Sequence, residues 1–354
     1  METTNYENRI NYKMIQLARE SRGYSQTELA DKLSILQSKL SRLESGTIKP
    51  KTEDIEAISV ALKYPAEFFC QDNQICTTDT HYRKAVAIDQ KTKLKAEAIM
   101  NIYKFNIEEM LKSLDMGNKN IPIMNDQFNS PEKIAMYLRS YWSVPKGPIN
   151  DVSQLLESNG IIIIQIDFET DKIDGRTIIT DTGHPIIFVN KNAPGDRQRQ
   201  TIGHELGHVI LHLVPTPIFG VDEEAEAWIF GSEFLMPLAE CQYDISSGLT
   251  LAKLADLKRY WKVSMSSIVT KANKSKLLTA NQAKYLYSQM NARGWKRSEP
   301  IPIPKETPTL INRMANVFLD EMLYTKQELA DSFKISLEEL EDRYFKSSNK
   351  LRIA

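Results

Sequence analysis

Residues 201–212 read T-I-G-H-E-L-G-H-V-I-L-H and carry three of the five histidines of this 354-residue chain. His204, His208 and His212 follow one another at intervals of four, so on a single helix their side chains share one face. Histidines one turn apart can bind the same metal ion. Histidines on a buried helix can instead simply pack in the protein core. The stretch therefore leaves three alternatives: a metal site with three histidines, a metal site with two, or a helix without a metal.

The first two histidines form the pattern H-E-x-x-H. The imidazoles of His204 and His208 can converge on one Zn²⁺ at bond lengths of about 2.0–2.1 Å. Glu205 then faces the open side of the ion, where a carboxylate can take a proton from water and pass it to a leaving amine. We expect His204 and His208 to be metal ligands and Glu205 to be the catalytic base of a peptidase.

His212 is expected to lie outside the metal site. Eight helical residues rise about 12 Å, too far for His204 and His212 to share one ion unless the helix breaks. The third ligand should then be a carboxylate from a later helix, as in zinc sites of two histidines and one glutamate. The acidic residues 222–226, D-E-E-A-E, open such a helix, although acids also favour the first turn of any helix because of its dipole.

Residues 9–69 predict a bundle of short helices, because apolar residues recur there at helical spacing. Ser25 and Glu28 form a capping box at the start of the second helix, and Gly46 stands where the third should end. The small side chain of Ala30 would let two helices cross closely, which favours a helix-turn-helix.

The third of these helices is the candidate DNA-reading element. We expect it to bury Leu36, Leu40 and Leu43. The side chains that it would expose are of the types that contact base edges. These candidate DNA-binding residues are Gln37, Ser38, Lys39, Ser41 and Arg42.

Charge limits how this domain can bind a double-stranded DNA operator. The chain has a formal net charge of −1, and residues 1–69 contain ten lysines and arginines against ten acids. Phosphate attraction must therefore come from a local group such as Lys39, Arg42, Lys49 and Lys51. One domain of this kind should bind weakly, so we expect a homodimer that doubles the contacts.

Composition indicates a globular protein with 42% hydrophobic and 26% charged residues. The amino terminus lacks the apolar core of a secretory signal, and the longest strongly apolar run, residues 161–164, is too short to cross a bilayer. Three cysteines fit a reducing compartment. We expect a cytoplasmic protein with no membrane partner.

Elsewhere the patterns predict an α+β fold that is mostly helical. A helical bundle at 1–72 is followed by a helical connector at 73–125, which is basic at residues 83–95 and helical from about 94 to 114. A mixed domain spans 126–240, with helices at 131–142, 151–158 and 222–236, strands at 161–168, 177–179 and 185–190, and a turn at Asp174 and Gly175. A helical extension at 241–300 and a helical module at 301–354 complete the chain.

The last module repeats a motif of the first. Residues 325–331, T-K-Q-E-L-A-D, parallel residues 25–31, S-Q-T-E-L-A-D. The helix that would read DNA in this second copy carries Glu338, Glu339, Glu341 and Asp342, which phosphates would repel. We therefore expect it to pack or to bind a partner.

Two family resemblances follow from these stretches. Residues 9–69 resemble the XRE (Cro/C1-type) helix-turn-helix family. Residues 197–208, R-Q-R-Q-T-I-G-H-E-L-G-H, the preceding I-I-F-V-N, and E-x-x-A-x-x-F-x-x-x-F-L-M-P up to Pro237 resemble the ImmA/IrrE metallopeptidases, a zincin-like fold. The order is that of regulators which fuse the two domains.

The resemblance implies a third ligand and a function. In the family a glutamate four residues before a usual asparagine binds the metal; this maps to Glu224, with Trp228 in place of the asparagine, and Glu226 and Glu223 are the alternatives. It implies a zinc metalloendopeptidase that cleaves a repressor or another partner protein, such as a toxin, in a mobile-element, toxin–antitoxin, phage-defence or stress-response system. The alternative is a repressor or antitoxin that uses the same fold as a sensor or scaffold without catalysis.

Overall fold

The computed structural model describes residues 9–76, 88–117, 119–123, 130–213, 222–295 and 298–345. The helices in chain order are α1 Tyr12–Ser21, α2 Gln26–Lys32, α3 Gln37–Glu44, α4 Thr52–Leu62, α5 Gln90–Leu111, α6 Pro131–Tyr141, α7 Val152–Ser158, α8 Gly195–His208, α9 Glu223–Leu235, α10 Leu238–Ser246, α11 Leu251–Trp261, α12 Met265–Lys274, α13 Ala280–Ala292, α14 Leu310–Asp320, α15 Lys326–Phe333 and α16 Leu337–Leu340. The strands are β1 Ile162–Ile166, β2 Gly175–Ile179 and β3 Pro185–Asn190. A 3₁₀ turn spans Ala66–Cys70, and π turns span Val209–Leu213 and Glu341–Phe345.

The described residues form two compact units. The first unit contains the residues up to Asp115, residues 180–182, and those from Leu310 onward. The second unit contains the residues from Met116 to Ile179 and from Gly183 to Thr309. These units cut across the five predicted segments, because the last segment groups with the first. The five segments as separate domains stay a prediction.

In the first unit, local hydrogen bonds define the helix-turn-helix. Ser25 Oγ accepts from the Glu28 amide at 3.1 Å, and Glu28 Oε2 accepts from the Ser25 amide at 2.6 Å, which is the predicted capping box. The turn between α2 and α3 places Ser34 in the left-handed region at φ 54°. The Ile35 amide then donates to the Ala30 carbonyl at 3.0 Å, which closes the turn over the buried Ala30.

The prediction that Leu36 is buried is wrong. Leu40 and Leu43 are fully buried, but the side chain of Leu36 is 76% exposed. Leu36 is the N-cap of α3 and has an extended backbone with ψ 137°. Helical spacing assigns a residue to a buried face only if its backbone is helical, and Leu36 precedes the first helical residue.

The second copy of the motif adopts the same local structure as the first. Thr325 and Glu328 form a capping box at the start of α15, and Lys334 adopts the left-handed conformation at φ 55°. The Ile335 amide donates to the Ala330 carbonyl at 3.1 Å. The sequence repeat is therefore also a structural repeat.

The acidic helix of this second copy packs within the first unit. Glu339 accepts hydrogen bonds from Arg22 at 2.7 Å and from Arg343 at 2.5 Å. Burial by itself raises the pKa of Glu339, but the two guanidinium groups outweigh it and hold the pKa below its usual value. This ion pair with Arg22, at the end of α1, supports a packing role.

The second unit is built on a small mixed sheet with strand order β1-β3-β2. β1 runs parallel to β3, with Ile163 opposite Ile187, and β2 runs antiparallel to β3, with Thr177 opposite the same Ile187. The predicted turn at Gly175 is wrong, because Gly175 is the first residue of β2. A Cβ there would lie 2.4 Å from Thr201 Cγ2, so this glycine permits close approach to α8.

One hydrophobic core fills the second unit. It runs from Ile134 in α6 to Met290 in α13 and includes the inward face of α8. The predicted segment boundary at residue 240 therefore falls between stretches of chain that contribute to the same core. Within the described ranges, none of the helices has the length and the apolar composition that a membrane-spanning segment needs.

The helix predicted from about residue 94 to 114 is present. Helix α5 spans Gln90–Leu111 and begins four residues before the predicted start. Arg83 and Lys84, which belong to the predicted basic run, lie outside the described residues.

Candidate metal centre and nucleic-acid interface

Glycines position the two helices that carry the histidines and the acidic cluster. α8 and α9 pass so close that a Cβ on Gly207 would lie 2.8 Å from the Cα of Ala227. A Cβ on Gly231 would lie 2.6 Å from the carbonyl carbon of Gly203. The backbones therefore approach at distances that no larger residue allows, and the start of α9 lies over His204 and His208.

This approach brings three predicted ligands together. Nε2 of His204 and Nε2 of His208 are 3.2 Å apart. Glu224 Oε2 is 3.4 Å from His204 Nε2, and Glu224 Oε1 is 3.5 Å from His208 Nε2. Ligands of a tetrahedral ion with bonds of about 2.0–2.2 Å stand about 3.3–3.6 Å apart. The two distances to Glu224 fall in this range and the distance between the imidazoles is slightly shorter, so the donor set can accommodate Zn²⁺.

The charges at this centre also suit a cation. Burial raises the pKa of Glu224, but hydrogen bonds from His204 and His208 outweigh it and hold the pKa far below its usual value. Burial lowers the pKa of His208, but Glu224 and Glu205 reverse this and raise it. The carboxylates thus favour positive charge at His208, and a divalent ion can take the place of the proton.

Glu205 is buried beside the histidines and is held by a strand. Its side chain is 6% exposed, and Thr177 Oγ1 donates to Glu205 Oε2 at 2.7 Å. Thr177 lies in β2, so the sheet fixes one oxygen of the predicted base. The sequence does not point to Thr177, because a single threonine in a short strand carries no signal of what it faces.

His212 is not one of the three residues whose potential ligand atoms meet at this centre. Its Nδ1 lies 3.2 Å from Nδ1 of His208, and its Nε2 lies 2.9 Å from Glu226 Oε2. His208, His212 and Glu223 form a second group with potential ligand atoms within 4.8 Å of one another. The three histidines therefore belong to one contiguous cluster with different neighbours.

In the other unit, the predicted DNA-binding residues differ in their surroundings. Gln37, Ser38 and Arg42 are exposed, whereas Ser41 and Lys39 are half-buried. Gln37 Nε2 donates to Gln26 Oε1 at 2.7 Å, which orients the amide at the start of α3.

The surroundings of Lys39 reduce its availability for DNA. Its Nζ donates to Asp54 Oδ1 at 2.6 Å. Lys49 and Lys51, which the local basic group also includes, are exposed. Asp54 therefore neutralises one member of that group while the others face solvent.

Comparison with known protein families covers both units. Residues 15–69 match the family model described as helix-turn-helix, and residues 156–273 match the IrrE N-terminal-like domain, a peptidase family. The predicted fusion is confirmed. No curated protein matches the chain. The mostly helical α+β fold, with its amino-terminal helix-turn-helix region and its small sheet, is confirmed as well.

The matched IrrE N-terminal-like region contains two arginines whose partners the sequence did not identify. Arg197 pairs with Asp174 at 2.6 Å. Arg199 is buried, donates to the Ile149 carbonyl at 2.7 Å and forms an ion pair with Glu306. Arg199 therefore connects the matched region to the segments that precede and follow it in the chain.

Trp228 occupies the position where the family resemblance implies asparagine. Its ring lies under the Lys274 ammonium, with Nζ 3.9 Å from the ring centroid. Trp228 therefore makes a cation–π contact at this position.

Proposed function

We propose that the IrrE N-terminal-like domain is a zinc-dependent peptidase, in which His204, His208 and Glu224 bind the ion and Glu205 is the catalytic base. The single observation that supports this assignment best is the convergence of the donor atoms. The two imidazole Nε2 atoms are 3.2 Å apart, and Glu224 places one carboxylate oxygen 3.4 Å from His204 Nε2 and the other 3.5 Å from His208 Nε2. These separations are close to the distances between the ligands of a tetrahedral zinc ion, and Glu205 lies beside them.

In this proposal each residue of the chain has a defined task. Zinc, when bound, supplies a Lewis acid that polarises the scissile carbonyl and makes water more acidic. Glu205 would take a proton from the attacking water and deliver it to the departing amine. Because Thr177 engages Oε2, we assign the proton to Oε1.

The sheet suggests how a peptide would bind. β2 is an edge strand of the described sheet, since it pairs with β3 alone, and an edge strand can accept an extended peptide by backbone hydrogen bonds. Thr177 places this edge next to Glu205. We therefore infer a protein substrate that is cleaved in an extended segment, such as a repressor or a toxin.

For the helix-turn-helix domain we propose binding to a double-stranded operator as a homodimer. Gln37, Ser38, Ser41 and Arg42 would contact bases or phosphates, and Lys39 would join them when it leaves Asp54. A cytoplasmic location stays a prediction that fits this role.

The test compares wild type with Glu205→Gln in cells. The variant should bind one zinc per chain and the same DNA as wild type, and new protein amino termini that appear in wild-type cells should be missing. Identical termini in both strains would overturn the peptidase proposal and favour a sensor or scaffold without catalysis. Purified Glu224→Ala should lose zinc; full retention would overturn the ligand set.

A further inference from the structure

The side chain of His212 has both ring nitrogens engaged. Nδ1 lies 3.2 Å from Nδ1 of His208, and Nε2 lies 2.9 Å from Glu226 Oε2. The His212 side chain is 2% exposed and the Glu226 side chain is 15% exposed. A buried imidazole between a carboxylate and a predicted metal ligand is well placed to act on that ligand.

When an ion takes the place of the proton between His208 Nε2 and Glu224, one set of tautomers satisfies every group in this row. Glu226, as a carboxylate, can only accept, so His212 Nε2 carries the proton and donates. Neutral His212 then has a lone pair on Nδ1, which accepts from Nδ1–H of His208. His208 is left with its lone pair on Nε2, the nitrogen that faces Glu224 at 3.5 Å.

We propose that Glu226 and His212 are positioning residues which fix the tautomer and the ring orientation of His208, so that its Nε2 is presented to the ion. This inference rests on the proposed role of His208 as a ligand. Hydrogen-bonded partners behind a metal-binding histidine raise its basicity and hold its ring. Here a second histidine extends the usual carboxylate–histidine pair by one ring.

The other histidine ligand provides an internal contrast. Nδ1 of His204 is buried and has no hydrogen-bond partner in the described part of the chain. The hydrogen-bonded row that runs from Glu226 through His212 to His208 is therefore not a feature that every histidine on α8 has. It requires Glu226 on α9 and the π turn Val209–Leu213, which carries His212.

A second metal ion bound by His208, His212 and Glu223 is the competing explanation. That ion would need Nδ1 of His208 without its proton while Nε2 binds the first ion, which makes the ring a doubly deprotonated bridge. In the hydrogen-bonded row, His208 keeps the proton on Nδ1. We therefore favour it, and zinc stoichiometry distinguishes the two.

The experiment measures zinc binding of the purified full-length protein by competition with a chromophoric chelator. His212→Phe keeps an aromatic ring at this position but removes both hydrogen bonds, and should weaken zinc binding by about 10- to 100-fold. His212→Asn keeps an acceptor near the Nδ1 position and should recover part of the loss. Glu226→Gln keeps an acceptor without its charge and should lie between wild type and His212→Phe.

A spectroscopic readout separates this role from simple packing. The visible absorption of the Co²⁺-substituted protein should shift in His212→Phe, because the field of the His208 ligand changes. Thermal unfolding of the metal-free proteins shows whether the variant is folded. Unchanged zinc affinity and an unchanged Co²⁺ spectrum in folded His212→Phe would overturn the inference.

Zinc stoichiometry separates failure of this inference from failure of the proposed function. Two equivalents of zinc in wild type, with one lost in Glu223→Gln, would overturn the hydrogen-bonded row in favour of a second ion. Wild type that binds no zinc would overturn the proposed function, and with it this inference.

Discussion

Thr177 on β2 donates a hydrogen bond of 2.7 Å to Glu205 on α8, and this bond joins the sheet to the predicted catalytic base. Thr177→Val removes the donor and keeps the shape of the side chain. A hydrogen bond to a charged group contributes about 1.5–3 kcal/mol, so we expect kcat on the natural substrate to fall at least about tenfold. Zinc content should not change.

The matched control for this prediction is Thr177→Ser, which keeps the hydroxyl. It should retain most of the activity if the hydrogen bond matters. Equal activity in the serine and valine variants would show that Thr177 acts only by packing.

Gly207→Ala tests the close approach of α8 and α9. The new Cβ would lie 2.8 Å from the backbone of Ala227, so the helices must separate and Glu224 must move away from the histidines. We expect a loss of about 1–3 kcal/mol in unfolding free energy and weaker zinc binding. Denaturant unfolding and chelator competition measure the two effects.

Gly203→Ala is the control on the same helix. Its Cβ would meet the Leu235 side chain at 3.2 Å and the Gly231 carbonyl oxygen at 3.3 Å, a milder contact with α9 than the 2.8 Å contact of Gly207→Ala. Gly203→Ala should therefore lose less zinc affinity, and an equal loss in the two variants would show that the effect does not follow the closeness of α9.

The ion pairs of Glu339 predict a pH dependence of stability. The two arginines hold its pKa in the folded state below its usual value, so its contribution is present above the pKa of the unfolded chain. It is lost as pH falls through the folded pKa. Melting temperature should therefore fall on acidification from about pH 5, and Glu339→Gln should flatten this dependence.

At neutral pH Glu339→Gln should cost about 3 kcal/mol, because it leaves the guanidinium of Arg343 buried without its partner. The exposed neighbour Glu338 gives the control. A change of the same size in Glu338→Gln would attribute the effect to net charge instead.

Asp54→Asn tests whether the ion pair with Lys39 restrains DNA binding. Removal of the carboxylate frees the ammonium, which is held at 2.6 Å in the wild-type chain. We expect tighter binding to non-specific duplex DNA and a dependence of log K on log salt that is steeper by about one unit. Fluorescence anisotropy across a salt series measures both.

Arg42→Ala should change DNA binding in the opposite direction. A uniform loss across sequences would assign Arg42 to phosphate, and a loss confined to one operator would assign it to a base. Unchanged affinity in both variants would show that α3 does not face the DNA.

Local features of this chain were accessible from the sequence. The capping box at Ser25 formed as predicted, and β3 has the predicted bounds Pro185–Asn190. Cap chemistry and hydrophobic periodicity act over a few residues, so they appear directly in the sequence. The prediction for Leu36 failed because α3 begins one residue later, at Gln37. Periodicity does not mark the residue at which helical dihedral angles begin.

The sequence by itself determined the two domain types and the spacing of His204, His208 and Glu205, because one helix turn fixes which side chains share a face. Only the tertiary structure brought Glu224 to those histidines, Thr177 to Glu205, and Glu226 to His212. These contacts join separate elements. Their geometry depends on how closely α8 packs against α9 and β2, and glycines at that packing interface decide this distance.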